Sequence, residues 1–74
     1  MPKLRVLSGK EACKIMSRHG FKKVRQKGSH IIMQKQESGT TITVPVPDHN
    51  ELRVGTLSGI IKQSGLPRAL FEAP

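Results

Sequence analysis

Glycine turns divide the middle of this chain into short segments, and this division restricts the possible folds more than any other feature. The turns fall at Gly20, at Gly28 and at Ser38-Gly39. They separate three runs that are each predicted to form a β-strand: Phe21–Gln26, Ser29–Lys35 and Thr40–Val44. The third run is β-branched throughout, and Pro45 and Pro47 are expected to end it. The sequence therefore predicts a three-stranded antiparallel meander.

A helix is predicted before the first strand. Ser8 and Glu11 have the spacing of a capping box, in which each side chain accepts a hydrogen bond from the other residue's free backbone amide. Apolar residues then recur at helical spacing, and Gly20 suits the end of a helix. We expect this helix to run from about Gly9 to His19.

A second helix is predicted after the third strand. Apolar residues recur at helical spacing from Leu57 to Ile61, after a start at Gly55 or Thr56, and Gly65 can end the helix. Two helices cannot cover both faces of so small a sheet and still share one core. The predicted fold class is therefore α+β, in the order α-β-β-β-α, with both helices on one face of a three-stranded antiparallel sheet.

The chain is short enough for residues 1–74 to form a single domain. A chain of this length buries only about 60% of the surface that it exposes when unfolded. A deep cleft or a multi-part active site is therefore not expected, and function should lie on a surface or in a shallow groove.

Positive charge is concentrated in the first half of the chain. Residues 1–35 hold ten of the 13 Lys and Arg residues and a single acid, Glu11, for a net charge of +9. Residues 36–74 hold three basic and four acidic residues, for a net charge of −1. This asymmetry indicates a basic face for a nucleic acid or an acidic partner, and a merely solvated basic face is the alternative.

Several classes of protein are disfavoured. Cys13 is the only cysteine, so neither a disulfide framework nor a cysteine-based zinc site is expected, and a cytoplasmic location is the default. No apolar run is long enough to cross a membrane. Trp and Tyr are absent, which argues against stacking of bases on aromatic side chains. The sequence has no pair of carboxylates of the kind that holds a catalytic Mg²⁺, so no metal or cofactor is expected.

The segment Arg25–His30 offers an acid–base group in a basic setting. Its histidine follows the turn at Gly28, where the backbone is expected to need a positive φ. Side chains alternate between the two faces of a strand. If Ile31 and Met33 face the helices, His30 points to the open face of the sheet, whereas the opposite register would bury it.

Six segments of the chain also have the residues and the spacing of a known family: Gly20-Phe21, Arg25–His30, Val44-Pro45, Gly55–Leu57, Ile60–Gln63 and Gly65. Through these segments the chain resembles the HicA toxins of bacterial HicA–HicB toxin–antitoxin pairs. The resemblance covers the chain from Ser8 to Leu66. The resemblance implies a fold like that of double-stranded-RNA-binding domains. It also implies a ribonuclease that cleaves messenger RNA, with the histidine of the Gly-Ser-His element, here His30, as the catalytic residue and a HicB antitoxin that masks the site.

RNA cleavage is compatible with the few groups that this segment provides. The 2′-hydroxyl of the substrate can act as the nucleophile, so the protein need supply only a base, an acid and charge stabilisation. The predicted base is His30, because histidine readily exchanges protons near neutral pH. Lys27, Arg25 and Lys35 are the cations expected to hold the phosphate, and Lys27 is nearest across the turn. Ser29 is expected to orient the histidine or to bind phosphate.

The sequence does not identify the general acid. His49 lies in the loop after the third strand and reaches the site only if that loop folds over the open face of the sheet. His19 is at the end of the first helix and is expected on the other side of the sheet.

Three functions remain open. The first is a toxin that cleaves messenger RNA, monomeric when free and neutralised in a heteromeric complex with a HicB-like antitoxin. The second is an RNA-binding module of the same fold that does not cut its ligand. The third is an interaction protein whose basic face binds an acidic partner. His30 favours the first, because a non-catalytic binder does not need it.

Overall fold

The computed structural model describes residues 2–74 and confirms the predicted α+β fold in the order α-β-β-β-α. The elements are helix α1 (Gly9–Ser17), strands β1 (Lys22–Lys27), β2 (His30–Glu37) and β3 (Thr40–Pro47), helix α2 (Val54–Ser64) and a short 3₁₀ helix (Arg68–Phe71). The strands form one antiparallel sheet in the order β1-β2-β3, so β1 and β3 are its two edges.

The predicted capping box begins α1. Glu11 accepts a hydrogen bond from the Ser8 amide at 2.9 Å, and the Ser8 hydroxyl accepts one from the Glu11 amide at 3.1 Å. The helix ends at Ser17, two residues before the predicted end at His19. It ends earlier because residues 18–20 form a turn, in which Gly20 has a φ of +96°.

Helix α2 begins at Val54, one residue before the predicted start. It ends where predicted, because Gly65 adopts the left-handed conformation with a φ of +71°. With 11 residues it is the longest helix described. Within residues 2–74, no helix is both long enough and apolar enough to span a membrane.

The prediction that Pro45 and Pro47 end the third strand is wrong. β3 continues to Pro47, and each proline lies opposite a residue of β2. The amide of the next residue, Asp48, donates a hydrogen bond to the Ser29 carbonyl at 2.6 Å, so amides at alternate positions face β2. The proline nitrogens therefore face the free edge of the sheet, where proline costs no ladder hydrogen bond.

Strand β1 contains a bulge that the sequence did not predict. Lys23 lies opposite Met33 and Arg25 lies opposite Ile32, so Val24 has no partner between them. Val24 is consequently 48% exposed. The bulge also places Lys23 on the same face of the sheet as the buried Met33, because residues directly opposite each other share a face.

Both helices pack on one face of the sheet, as predicted. Their buried apolar side chains form a single core with those of β2 and β3. The sheet contributes Ile31, Met33, Val44 and Val46; α1 contributes Ala12, Ile15 and Met16; and α2 contributes Leu57, Ile60 and Ile61. Phe71 of the 3₁₀ helix is fully buried in the same core, so the chain's last turn helps to close it.

Candidate active site

His30 is exposed at the start of β2, on the face of the sheet that the helices leave uncovered. Ile31 and Met33 are only 3% and 0% exposed beneath the helices, so the alternate residues of β2 face the other way. This open face carries His30, Ile32 and Gln34 from β2. The register that exposes His30 is therefore the one that the fold adopts.

Lys27 lies directly opposite His30 in the β1–β2 hairpin. Only Gly28 and Ser29 separate them, and Gly28 has a φ of +59°. Side chains that are directly opposite in an antiparallel pair share a face, with Cβ atoms roughly 5 Å apart. Arg25 lies opposite the next residue of β2 on the open face. Two cationic side chains of β1 therefore accompany the histidine.

Gln26 braces the hairpin turn from the side that the helices cover. Its Nε2 donates hydrogen bonds to the Gly28 carbonyl and to Asp48 Oδ2, both at 3.3 Å. The Asp48 amide donates to the Ser29 carbonyl at 2.6 Å, and Lys23 Nζ donates to Gln26 Oε1 at 3.2 Å. These bonds tie the hairpin turn to the loop that follows β3.

The other two histidines lie outside the strands of the sheet. The backbone carbonyl of His49 accepts a hydrogen bond from the Gly9 amide at 2.9 Å, and the preceding Asp48 amide donates to the Ser29 carbonyl, so His49 lies in a loop between the start of α1 and the hairpin turn. His19 follows α1, and its amide donates to the Met16 carbonyl at 2.9 Å. Neither histidine belongs to the β1–β2 hairpin that carries His30.

A family model for the HicA toxin of bacterial toxin–antitoxin systems matches residues 9–66 of the chain. This range contains α1, the whole sheet and α2, and it includes the hairpin that carries His30. The chain belongs to the HicA toxin family. Comparisons with curated proteins and with solved structures gave no match.

Lys35 is not beside His30 in this HicA toxin, contrary to the expectation that it accompanies Lys27 and Arg25. It lies opposite Ile42 on the face that the helices cover. Its Nζ is 5.9 Å from the centroid of the Phe21 ring. Alternation along β2 separates the two residues, because five positions along a strand reverse the direction of the side chain.

Ser29 and Gly28 both form the turn before the histidine. Ser29 is exposed. Gly28 has the positive φ that the sequence led us to expect. A Cβ atom at Gly28 would meet no other atom within 4 Å, so the position requires glycine for its backbone conformation and not for space.

Sequence reasoning gave no role to Gln26 or Asp48. The position of Gln26 inside the segment Arg25–His30 was the only available signal. The contact with Asp48 joins residues that are 22 positions apart, and no local pattern indicates it. Among residues 2–74, no group of three or more His, Cys, Asp or Glu side chains could hold a metal ion.

The open face suits proton transfer next to a bound phosphate. An exposed imidazole can take a proton from a hydroxyl that approaches from solvent. Cationic side chains on the same strand pair attract a phosphate and stabilise additional negative charge on it. Because the helices leave this face uncovered, an extended polymer can reach these groups without entering a cleft.

Proposed function

We propose that this HicA toxin is a metal-independent endoribonuclease that cleaves messenger RNA in the cytoplasm, with His30 as its single catalytic histidine. The observation that carries the proposal is the position of His30, exposed on the open face and directly opposite Lys27. Because the side chain is exposed, an internal phosphodiester bond of an RNA strand can be brought to it, as an endonuclease requires.

In the proposed reaction, His30 accepts the proton of a ribose 2′-hydroxyl as the 2′-oxygen attacks the adjacent phosphorus. The bond between phosphorus and the 5′-oxygen breaks, so the products carry a 2′,3′-cyclic phosphate and a 5′-hydroxyl. Water protonates the leaving oxygen because the open face is exposed to solvent, and the imidazolium then returns its proton to solvent. The substrate supplies its own nucleophile, so the step needs no metal.

Lys27 and Arg25 hold the scissile phosphate in this proposal. Their charges offset the negative charge that builds on the phosphate oxygens as the 2′-oxygen attacks. Ser29, in the exposed turn, offers its hydroxyl to the same phosphate. Lys35 lies on the other face of the sheet, beside Phe21, so it does not hold the scissile phosphate in this proposal.

The proposed partner is a HicB-like antitoxin that binds the monomeric toxin and covers its open face. Residues 1–35 have a net charge of +9, and they include every residue of β1 and the histidine. An acidic antitoxin surface therefore matches this half of the chain in charge. Covering the face neutralises the toxin because RNA then has no access to His30.

Regulated expression in bacteria tests the proposal. We expect the wild type to stop growth and His30→Ala to permit it. His19→Ala is the matched control, since this exposed histidine follows α1 and lies outside the hairpin. Circular dichroism of both purified variants shows whether they fold. A folded His30→Ala variant that still stops growth, or a His19→Ala variant that is equally harmless, would contradict the assignment.

A further inference from the structure

A groove lies between α1 and β1, on the side of the sheet opposite to His30. Its volume is about 310 Å³. Ile31 and Met33 of β2 form its floor, and Cys13 of α1 contributes to its wall. The groove is thus a separate feature with an apolar floor, and the proposed cleavage of RNA does not use it.

Three lysines surround the groove. Lys10 and Lys14 belong to α1, and Lys23 belongs to β1, where the bulge at Val24 turns it to this side. Within the described part of the chain, no acidic residue is among those that line the groove, and the nearby Asp48 carboxylate accepts a hydrogen bond from the Gln26 amide. The one carboxylate of α1, Glu11, is held in the capping box. The charges around the groove therefore favour an anionic ligand.

The polar groups of the groove have little hydrogen-bonding capacity left for a ligand. The Ser17 hydroxyl donates to the Cys13 carbonyl at 2.9 Å, and the Gln26 amide is engaged by Lys23 and Asp48. Burial raises the pKa of the Cys13 thiol to about 11, and the Asp48 carboxylate adds to this effect, so the thiol is uncharged at neutral pH. The lysines can donate to a nucleobase but cannot accept from its N–H groups, which would stay unpaired, whereas an aliphatic side chain has no polar group to pair.

We propose that this groove binds an acidic protein segment that places one aliphatic side chain against Cys13 and the accessible edge of Ile31, above the buried Met33. The acidic residues on either side of this anchor pair with Lys10, Lys14 and Lys23. Burying one leucine-sized side chain removes its apolar surface from water, and the lysines select for negative charge around it. The anchor provides the affinity and the lysines provide the selectivity.

The segment and an RNA strand bind at the same time, because the groove and the open face are on opposite sides of the sheet. The inference thus goes beyond the proposed cleavage reaction and does not depend on it. A partner bound in the groove is held to the toxin whether or not His30 is covered.

Fluorescence anisotropy with two labelled peptides tests the inference. Each peptide is about nine residues long, enough to run beside a strand, and rich in glutamate. One has a central leucine and the other a serine at that position. The proteins are the wild type, Lys14→Glu, Cys13→Met and His30→Ala. Lys62→Glu, a change at an exposed lysine of α2, is the matched control for charge.

The leucine peptide should bind more than about tenfold more tightly than the serine peptide, as the burial of one leucine requires. Lys14→Glu should weaken its binding more than Lys62→Glu does, and Cys13→Met should weaken it by filling the groove. His30→Ala should bind it like the wild type. If Cys13→Met does not fold, the two peptides and the two lysine variants decide the matter.

Equal affinities for the two peptides, or equal effects of Lys14→Glu and Lys62→Glu, would overturn the inference. A single-stranded RNA oligonucleotide is titrated in parallel in the His30→Ala background, where it stays uncut. The double variant that carries both His30→Ala and Cys13→Met should bind this RNA with the same affinity as His30→Ala alone. If RNA binding is lost and the leucine peptide does not bind, the groove is a nucleotide site and the inference is wrong. All these readouts are binding measurements, so failure of the cleavage proposal does not affect them.

Discussion

Lys27 and His30 face each other across the last register pair of the β1–β2 hairpin, on the open side of the sheet. Two kinds of contact fix this pairing. The backbone ladder sets the register, and the Gln26 side chain bonds the turn to the loop after β3. The histidine therefore has a cationic neighbour whose position follows from the fold and not from a flexible loop.

This pairing predicts the effect of removing the lysine charge. We expect Lys27→Ala to lower the rate of RNA cleavage by about 10²–10³-fold when enzyme is saturating, the usual loss when one charge-stabilising group is removed. Lys22→Ala is the matched control, since Lys22 lies opposite Gln34, at the other end of β1. Single-turnover cleavage of a labelled RNA measures both rates. Similar losses in the two variants would indicate general attraction of RNA and not a specific role for Lys27.

Two glycines in the helices should respond to alanine in opposite directions. A Cβ atom at Gly9 would collide with the backbone carbonyl of Pro47, so Gly9→Ala should lower the free energy of unfolding by about 1–3 kcal/mol. A Cβ atom at Gly59 would meet nothing within 4 Å, so Gly59→Ala in α2 should raise it by about 1 kcal/mol. Urea unfolding of the two variants checks both signs. A stabilised Gly9→Ala variant would contradict the close contact between α1 and the end of β3.

The capping box of α1 should make stability depend on pH. The hydrogen bond from the Ser8 amide holds the pKa of Glu11 below its ordinary value of about 4.5. A carboxyl group whose pKa is lower in the folded state stabilises the protein above the unfolded value, and this contribution is lost as the pH falls through the folded value. Melting temperatures of the wild type and Glu11→Gln should therefore differ at neutral pH and converge in acid. A difference that persists in strong acid would exclude titration of Glu11 as its cause.

The alternation of apolar residues predicted two faces for β2 but left open which of them carries the core. The fold adopts the alternative in which Ile31 and Met33 are buried and His30 is exposed. The family was predicted correctly from the motif segments, and the family model confirms it. The catalytic role of His30 stays a prediction.

Features set by strand edges and long-range contacts could not be predicted. The bulge at Val24 lies in a strand with a single apolar residue, so no alternation marked its register. Pro45 and Pro47 are compatible with β3 only because β3 is an edge strand and their nitrogens point toward its unpaired edge. The face that Lys35 occupies could, by contrast, have been predicted, because alternation along β2 separates it from His30; it was grouped with Lys27 only by proximity in sequence.

Cleavage of a defined RNA in EDTA tests the central claim most directly. Purified wild type and His30→Ala are incubated with the same end-labelled RNA, and both the extent of cutting and the chemical nature of the product ends are determined. We expect only the wild type to cut and its products to carry 2′,3′-cyclic phosphate and 5′-hydroxyl ends. If neither protein cuts although both bind the RNA, or if His30→Ala cuts as well as the wild type, the assignment of His30 as the catalytic base is wrong.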